Sequence, residues 1–251
     1  MISGCARLLR ALAVGTQSES AGCGTSDQRS LSWPAVLVLA LDTATPAVTA
    51  GLLRLRVAGP LELLASRVTG GARAHGELLI PSIRAVLTEA GVRTGDLDAL
   101  VCGAGPGPFT GLRVGMMTAA ALADGLGVPV HPVCSLDAIA WEAGGPVLVA
   151  TDARRREVYW ARYDAAGARV DGPHVQRPAE VPLTGVRRAA GAAAPLLVVP
   201  TVAPEHPGPV GLVAVAAGAL RAGAPPAPLT PLYLRRPDAA EPGAHKRVTP
   251  P

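Results

Sequence analysis

Aromatic residues and lysine are scarce in this sequence. It contains one Phe, three Trp and three Tyr among 251 residues, although 49% of the residues are hydrophobic, so alanine, valine and leucine must fill the interior. Lys246 is the only lysine, and arginine supplies the other basic side chains of a chain whose formal net charge is +4. The arginines form no basic stripe. The charge therefore neither indicates nor excludes a nucleic-acid partner.

Paired cysteines and long apolar segments are also missing. Cys5, Cys23, Cys102 and Cys134 include no CxxC pair and no metal-ligand spacing, which favours free thiols in a reduced compartment. The longest apolar run, at 210–220, is shorter than the ~20 residues that span a bilayer. We expect a cytoplasmic protein.

Changes in composition divide the chain into two lobes with irregular ends. The first residues are small, polar and aperiodic, which predicts a disordered leader or a start codon placed too far upstream. The strand and helix patterns that follow fit two β-rich lobes decorated with helices better than one wound sheet. The predicted parts are a leader at 1–33, a first lobe at 34–131, a second lobe at 132–234 and a flexible tail at 235–251.

Apolar spacing predicts two helices in the first lobe. Residues 75–90 carry one apolar face, and Pro81 is tolerated only in a first turn, which places the helix start near Glu77. The second helix, at 110–126, follows a glycine-rich loop and has Thr110 as a plausible N-cap. A third helix is predicted at 211–221, and strands are predicted at 35–41, 48–57, 61–68, 100–103, 128–133, 146–150, 156–163 and 168–170.

Two loops resemble the phosphate loops of sugar-kinase and actin-like ATPases, because each begins with an aspartate after a buried strand. Working versions of these loops carry glycines that wrap the phosphates and an aspartate that holds magnesium. Here alanine and arginine stand where the flexible backbone is needed. We therefore expect no working nucleotide site. These positions are interpreted as parts of degenerate phosphate loops: Asp42, Thr43, Thr45 and Asp152.

Other catalytic and metal motifs fail at identifiable positions. In the glycine loop at 103–111, a GxGxxG match is broken by Pro108, and no Walker lysine is present. A zinc helix would need glutamate directly after His75 and a second histidine at the position of Leu79. We predict no catalytic residue and no metal ligand.

A stripe of small residues runs along the helix at 110–126. Gly111, Gly115 and Ala119 recur every four residues, so another helix could approach closely, and Leu112 and Met116 provide an adaptable apolar surface beside them. The stripe fits two arrangements, a subunit interface or packing inside its own lobe. The sequence alone leaves both open.

Several segments of the chain resemble the TsaB (YeaZ) family: VLALDTATPAVTAGLL, HGELLIPSI, GAGPGPFTGLRVGMMTAAALADGLGVPV, SLDAIA, DARRREVYWARYD and PLYLRRPDA. The resemblance implies an α/β, two-lobed ASKHA fold (actin/sugar-kinase/Hsp70-like, RNase H-like) with a reduced second lobe. It also implies a non-catalytic partner of TsaD, acting with TsaE in threonylcarbamoylation of adenosine 37 (t6A) of tRNAs that read codons beginning with A. No cofactor is expected, and ATP or ADP only at an interface with TsaD.

The same resemblance implies that the helices at 75–90 and 110–126 form the contact with TsaD, and a homodimer when TsaD is absent. Transfer RNA is then reached indirectly through the complex. Two departures from the family are visible: Gly76 and Pro108 each stand where serine is usual, and Pro108 removes an amide and a hydroxyl from the loop. The interface residues carried over are His75, Glu77, Leu78, Pro81, Ile83, Gly111, Leu112, Gly115, Met116 and Ala119.

The alternative function is a catalytic ASKHA-family transferase or a kinase that binds ATP. A catalytic relative such as TsaD would need a HxxxH metal pair, and His75 has no such partner. A kinase would need intact phosphate loops.

Overall fold

The computed structural model describes residues 35–70 and 75–235, so the predicted leader and the predicted tail after residue 235 lie outside the described residues. Secondary structure within these ranges follows the predicted order closely. The elements are β1 (Ala35–Asp42), β2 (Val48–Arg56), β3 (Leu61–Thr69), α1 (His75–Glu89), β4 (Ala99–Gly103), α2 (Phe109–Leu126), β5 (Val130–Val133), α3 (Ser135–Ala143), β6 (Val147–Asp152), β7 (Val158–Tyr163), β8 (Arg169–Gln176), β9 (Ala189–Ala190) and α4 (Pro209–Arg221).

The first sheet has five strands in the order β3-β2-β1-β4-β5. Strand β1 is antiparallel to β2 and parallel to β4, and β4 is parallel to β5. Leu39 and Leu41 of β1 face a core shared with α1 and α2, whereas Val38 and Ala40 face a core shared with α4. Because helices cover both faces, the strand is apolar throughout instead of alternating.

The second sheet has four strands in the order β8-β7-β6-β9. One face packs on α3, with Ile139 against Val149 and their neighbours. The other face buries Trp160, whose indole N–H donates to Gln176 at 2.7 Å. Helix α3 therefore lies between the two sheets, since its Ala138 belongs to the core beneath α4.

Both predicted helix starts in the first lobe are wrong. Helix α1 begins at His75, and Pro81 lies in its second turn. The ring is exposed there, so water can satisfy the carbonyl that loses its helical donor. Helix α2 begins at Phe109 with Pro108 as its N-cap, and no side chain caps it. Thr110 is thus inside the helix.

The lobe boundary predicted between 131 and 132 falls inside β5, the last strand of the first sheet. Helix α4, placed in the second lobe by sequence order, packs on β1 and β2 of the first sheet. Helix α3 was not predicted from apolar spacing, because nine residues give too few turns for a clear period. Among the described residues, no helix is both long and apolar enough to cross a membrane.

Candidate functional site

The candidate site is an open cleft of about 350 Å³. It lies where the β1–β2 turn, the start of α1, the start of α2 and the β6–β7 turn meet. The first phosphate-loop-like turn therefore lines a cleft. The lining residues are Thr43, Thr45, Pro46, His75, Gly76, Pro108, Phe109, Thr110, Gly111, Val114 and Arg154.

Asp42 does not line this cleft, because its carboxylate is buried beneath it. The carboxylate accepts hydrogen bonds from the Ala44 amide at 2.8 Å and from the Ser135 hydroxyl at 2.5 Å. Burial raises the pKa of Asp42 to about 6, against the lowering effect of these hydrogen bonds. Gly103 must be glycine, since a Cβ there would overlap the carboxylate. Asp42 ties the end of β1 to the start of α3 and packs closely against β4.

Thr43 occupies the small-residue stripe of α2. Its hydroxyl donates to the Gly111 carbonyl at 2.7 Å and accepts from the Gly115 amide at 2.8 Å. A Cβ at Gly115 would lie 2.5 Å from Thr43 Oγ1. The stripe is therefore small so that the chain's own turn can approach the helix.

This packing matches the second of the two arrangements that the sequence left open, in which the stripe packs inside its own lobe. The turn and the core of the first lobe cover the stripe, so its members cannot meet a partner helix in this fold. Six of the ten predicted contact residues are buried inside the lobe: Ile83, Gly111, Leu112, Gly115, Met116 and Ala119.

The other four predicted residues lie at or near the surface of α1. Glu77 and Pro81 are exposed, and Leu78 is half-buried. His75 is also half-buried, and its Nε2 donates to the Thr45 carbonyl at 2.9 Å. These four residues remain predicted contact residues.

Sequence reasoning missed a neighbouring exposed face of α2. Phe109 is 41% exposed and Met117 is 59% exposed. Together with Arg113 they recur every four residues, so they share one side of the helix. That spacing is visible in the sequence, but the predicted interface on α2 followed the glycine stripe, which lies on the opposite side of the helix.

An aromatic and guanidinium cluster marks the start of α2. The rings of Phe109 and Tyr233 stack with centroids 5.2 Å apart. The Arg113 guanidinium lies 3.7 Å from the Phe109 centroid, and its Nε donates to the Tyr233 hydroxyl at 2.7 Å. Contacts of this kind contribute about 0.5–1 kcal/mol at exposed sites.

The second phosphate-loop-like segment forms an arginine turn (154–156). Its three arginines have φ of 63°, 52° and 62°, the left-handed region that favours glycine. The Asp152 carboxylate accepts from the Arg154 amide at 2.8 Å and also pairs with the Arg154 guanidinium at 3.5 Å. The Asp152 carboxylate thus stabilises its own turn through Arg154.

Within residues 35–70 and 75–235, no three His, Cys, Asp or Glu side chains cluster as a metal site. Leu79, where a HxxxH pair would place its second histidine, is fully buried in the core. Cys102 and Cys134 are buried free thiols. Burial raises the pKa of both, that of Cys134 to about 12, so neither is a ready nucleophile.

Two mixed sheets, each covered by helices and joined through α3, with a cleft between degenerate phosphate-loop turns, define an ASKHA-fold protein of the α/β class. The family model of TsaD, tRNA N6-adenosine threonylcarbamoyltransferase, matches residues 64–190. A solved structure described as similar to peptidase YEAZ is 30% identical and is covered in full, so the chain belongs to the TsaB (YeaZ) family.

Individual relatives agree with this assignment. A protein of Mycobacterium tuberculosis (strain ATCC 25618 / H37Rv), described as uncharacterised, is 54% identical over 204 residues, covering 80% of this chain and 93% of that protein. The tRNA threonylcarbamoyladenosine biosynthesis protein TsaB of Escherichia coli (strain K12) is 39% identical over 132 residues, 50% of this chain and 54% of that protein. A crystal structure from Pseudomonas aeruginosa, described as similar to peptidase YEAZ, is 30% identical with TM-score 0.66, covering 80% of this chain and all of that one.

Proposed function

We propose that this chain is a non-catalytic partner of TsaD, acting with TsaE in the threonylcarbamoylation of adenosine 37 of tRNA in the cytoplasm. The names of the curated relative from Escherichia coli and of the matching family model support this reaction. The observation that carries the non-catalytic role is the state of Asp42, whose carboxylate is buried and bonded to Ser135 and Ala44.

The remaining polar groups near the cleft support an inert role. Asp152 bonds its own turn, and the Thr43 hydroxyl is bonded twice by α2. A loop that binds nucleotide phosphates and magnesium needs such oxygens free. The chain therefore acts through its surface, by supporting a catalytic subunit.

The surface we assign to TsaD is the partner face, which adds Ile80, Phe109, Arg113 and Met117 to the four predicted α1 residues, His75, Glu77, Leu78 and Pro81. It carries three large exposed apolar side chains, with Ile80 at 40%, Phe109 at 41% and Met117 at 59% exposure. Aromatic, methionine and arginine side chains are enriched at protein interfaces. The same face joins two copies of the chain when TsaD is absent. ATP or ADP binds only at the interface between this chain and TsaD. The chain reaches tRNA indirectly, through the complex.

The test is to co-purify Met117→Asp with the organism's TsaD and to measure tRNA threonylcarbamoylation. Met117 is on the surface, so its replacement should leave melting nearly unchanged. The buried charge should weaken TsaD binding by about tenfold or more, and modification should fall with it. Val198→Asp is the matched control, because Val198 is 94% exposed and lies in the second lobe.

Equal binding by Met117→Asp and the control would place the interface elsewhere. Tight, magnesium-dependent ATP binding by the isolated wild-type chain, measured by calorimetry, would instead favour the kinase alternative.

A further inference from the structure

The C-terminal strap (229–235) contacts the cores of both lobes. Leu229 packs on the core formed by β1, α1 and α2. Leu232 and Leu234 pack on the core between α3 and the second sheet. Tyr233 lies between these two leucines in the sequence, and its ring stacks on Phe109 of α2.

The strap is anchored to the first lobe by three contacts. The Leu232 amide donates to the carbonyl of Ala104 in the glycine loop at 2.8 Å. The Tyr233 ring stacks on Phe109, and its hydroxyl accepts from Arg113 at 2.7 Å.

Its other end is anchored to the β6–β7 turn of the second lobe. Arg235 Nη1 donates to the Ala153 carbonyl at 3.0 Å, and the same guanidinium forms an ion pair with Glu157. Ala153 and Glu157 flank the arginine turn. Two backbone hydrogen bonds close this turn. The Ala153 amide donates to the Glu157 carbonyl at 3.0 Å, and the Glu157 amide donates to the Arg154 carbonyl at 2.9 Å.

The arginine turn needs such support because of its backbone. A left-handed conformation costs a residue with a side chain roughly 1–2 kcal/mol, and this turn has three in succession. Strained segments of this kind persist only where the surrounding structure holds them. Arg235 supplies that hold from outside the turn.

We propose that the C-terminal strap is a conformational coupler between the start of α2 and the arginine turn. Phe109 and Arg154 line the same cleft but belong to different lobes, and the strap contacts Phe109 directly and the turn through Arg235. Loss of the Tyr233 contacts with α2 therefore lets the strap shift and weakens the hold of Arg235 on the turn. A partner that binds at Phe109 and Arg113 thereby acts on the position of Arg154.

The test is hydrogen–deuterium exchange of the Ala153 and Glu157 amides in the full chain, with amides of the β1–β2 ladder as internal reference. Tyr233→Ala should accelerate exchange of both amides by about fivefold or more, because it removes the ring stack on Phe109 and the bond from Arg113 that hold the strap to α2. Arg235→Ala should accelerate them at least as much. Val198→Ala, at an exposed site outside the strap, is the control and should leave them unchanged.

Two results would overturn the coupling. In the first, the Ala153 and Glu157 amides of Tyr233→Ala exchange within about twofold of the wild-type rate, whereas those of Arg235→Ala exchange faster. The turn would then depend on Arg235 alone. The other is equal acceleration of the reference amides, which would show general destabilisation. If Tyr233→Ala does not fold, Tyr233→Phe removes only the bond to Arg113 and should give a smaller acceleration confined to the turn.

Discussion

Asp42 shows at the scale of one residue how a carboxylate placed like a catalytic group can instead support the fold. Both of its oxygens are bonded within the chain, and no solvent reaches it. Its pKa is raised from 3.8 to about 6, so the folded protein holds a proton that the unfolded chain releases over this range. Stability from the protonated form is complete below pH 3.8 and is lost as pH rises through about 6.

Asp42→Asn should remove this pH dependence. The amide can keep the bond from Ala44 and donate to the Ser135 oxygen, so the fold should survive. A shift of about two pKa units corresponds to about 3 kcal/mol, and the stability of the variant relative to wild type should therefore rise by about that amount between pH 4 and pH 7. Urea unfolding of both proteins across this range measures it. Parallel stability curves would mean that Asp42 is ionised at normal pKa in the fold.

Asp42 and Thr43 also show what sequence reasoning could predict about the site. The loss of glycines around them predicted degenerate loops, and the structure shows that both side chains bond within the chain. Their partners, Ser135 and Gly115, lie 93 and 72 residues away, and no local pattern specifies such contacts. The stripe on α2 left two arrangements open for the same reason, since a small residue every four positions looks identical whether a partner helix or the chain's own turn fills the space.

At the scale of one element, helix α2 contains a tightly packed glycine, Gly115, and a glycine with open space beside it, Gly125. A Cβ at Gly115 meets Thr43 Oγ1 at 2.5 Å, whereas one at Gly125 meets nothing within 4 Å. Gly115→Ala should therefore lower stability by roughly 1–3 kcal/mol through overpacking. Gly125→Ala should raise it by up to about 1 kcal/mol through helix propensity. Chemical unfolding of the pair measures both signs, and equal effects would refute the placement of Thr43.

Strand positions were easier to predict than helix ends. The apolar run at 35–41 predicted β1 within one residue, because a strand buried on both faces needs continuous apolar side chains. The start of α1 was misplaced because an interior proline was assumed to be impossible. At an exposed position the lost hydrogen bond goes to water, so the helix continues through Pro81.

At the scale of the whole molecule, α3 and α4 join the two sheets into one structure. Glu142 of α3 accepts from the Gly211 amide in the first turn of α4 at 2.7 Å, in place of a side-chain cap within that helix. Carboxylates stabilise helix N-termini through the exposed amides and the helix dipole. One side chain thus fixes the helix behind the first sheet to the helix against the second.

Glu142→Ala should lower global stability by about 1–2 kcal/mol, because it leaves a first-turn amide of α4 without its acceptor. Unfolding should stay a single transition, since the cores on both sides of α3 share that helix. Circular dichroism melts of Glu142→Ala and Glu142→Gln measure this, with the glutamine variant losing less. Two separate transitions in the wild type would show that the sheets unfold independently.

Trp160 gives this cooperativity an optical signature. Its indole is buried in the second sheet and bonded to Gln176, whereas Trp141 on α3 is 51% exposed, and neither sheet holds another tryptophan within the described residues. Burial shifts indole emission to the blue, so in a Trp33→Phe, Trp141→Phe variant, whose only indole is that of Trp160, the intensity lost from the blue edge on unfolding reports the second sheet alone. A fluorescence midpoint that coincides with the midpoint for total backbone structure therefore means that the first sheet, which emits nothing of its own, melts in the same step.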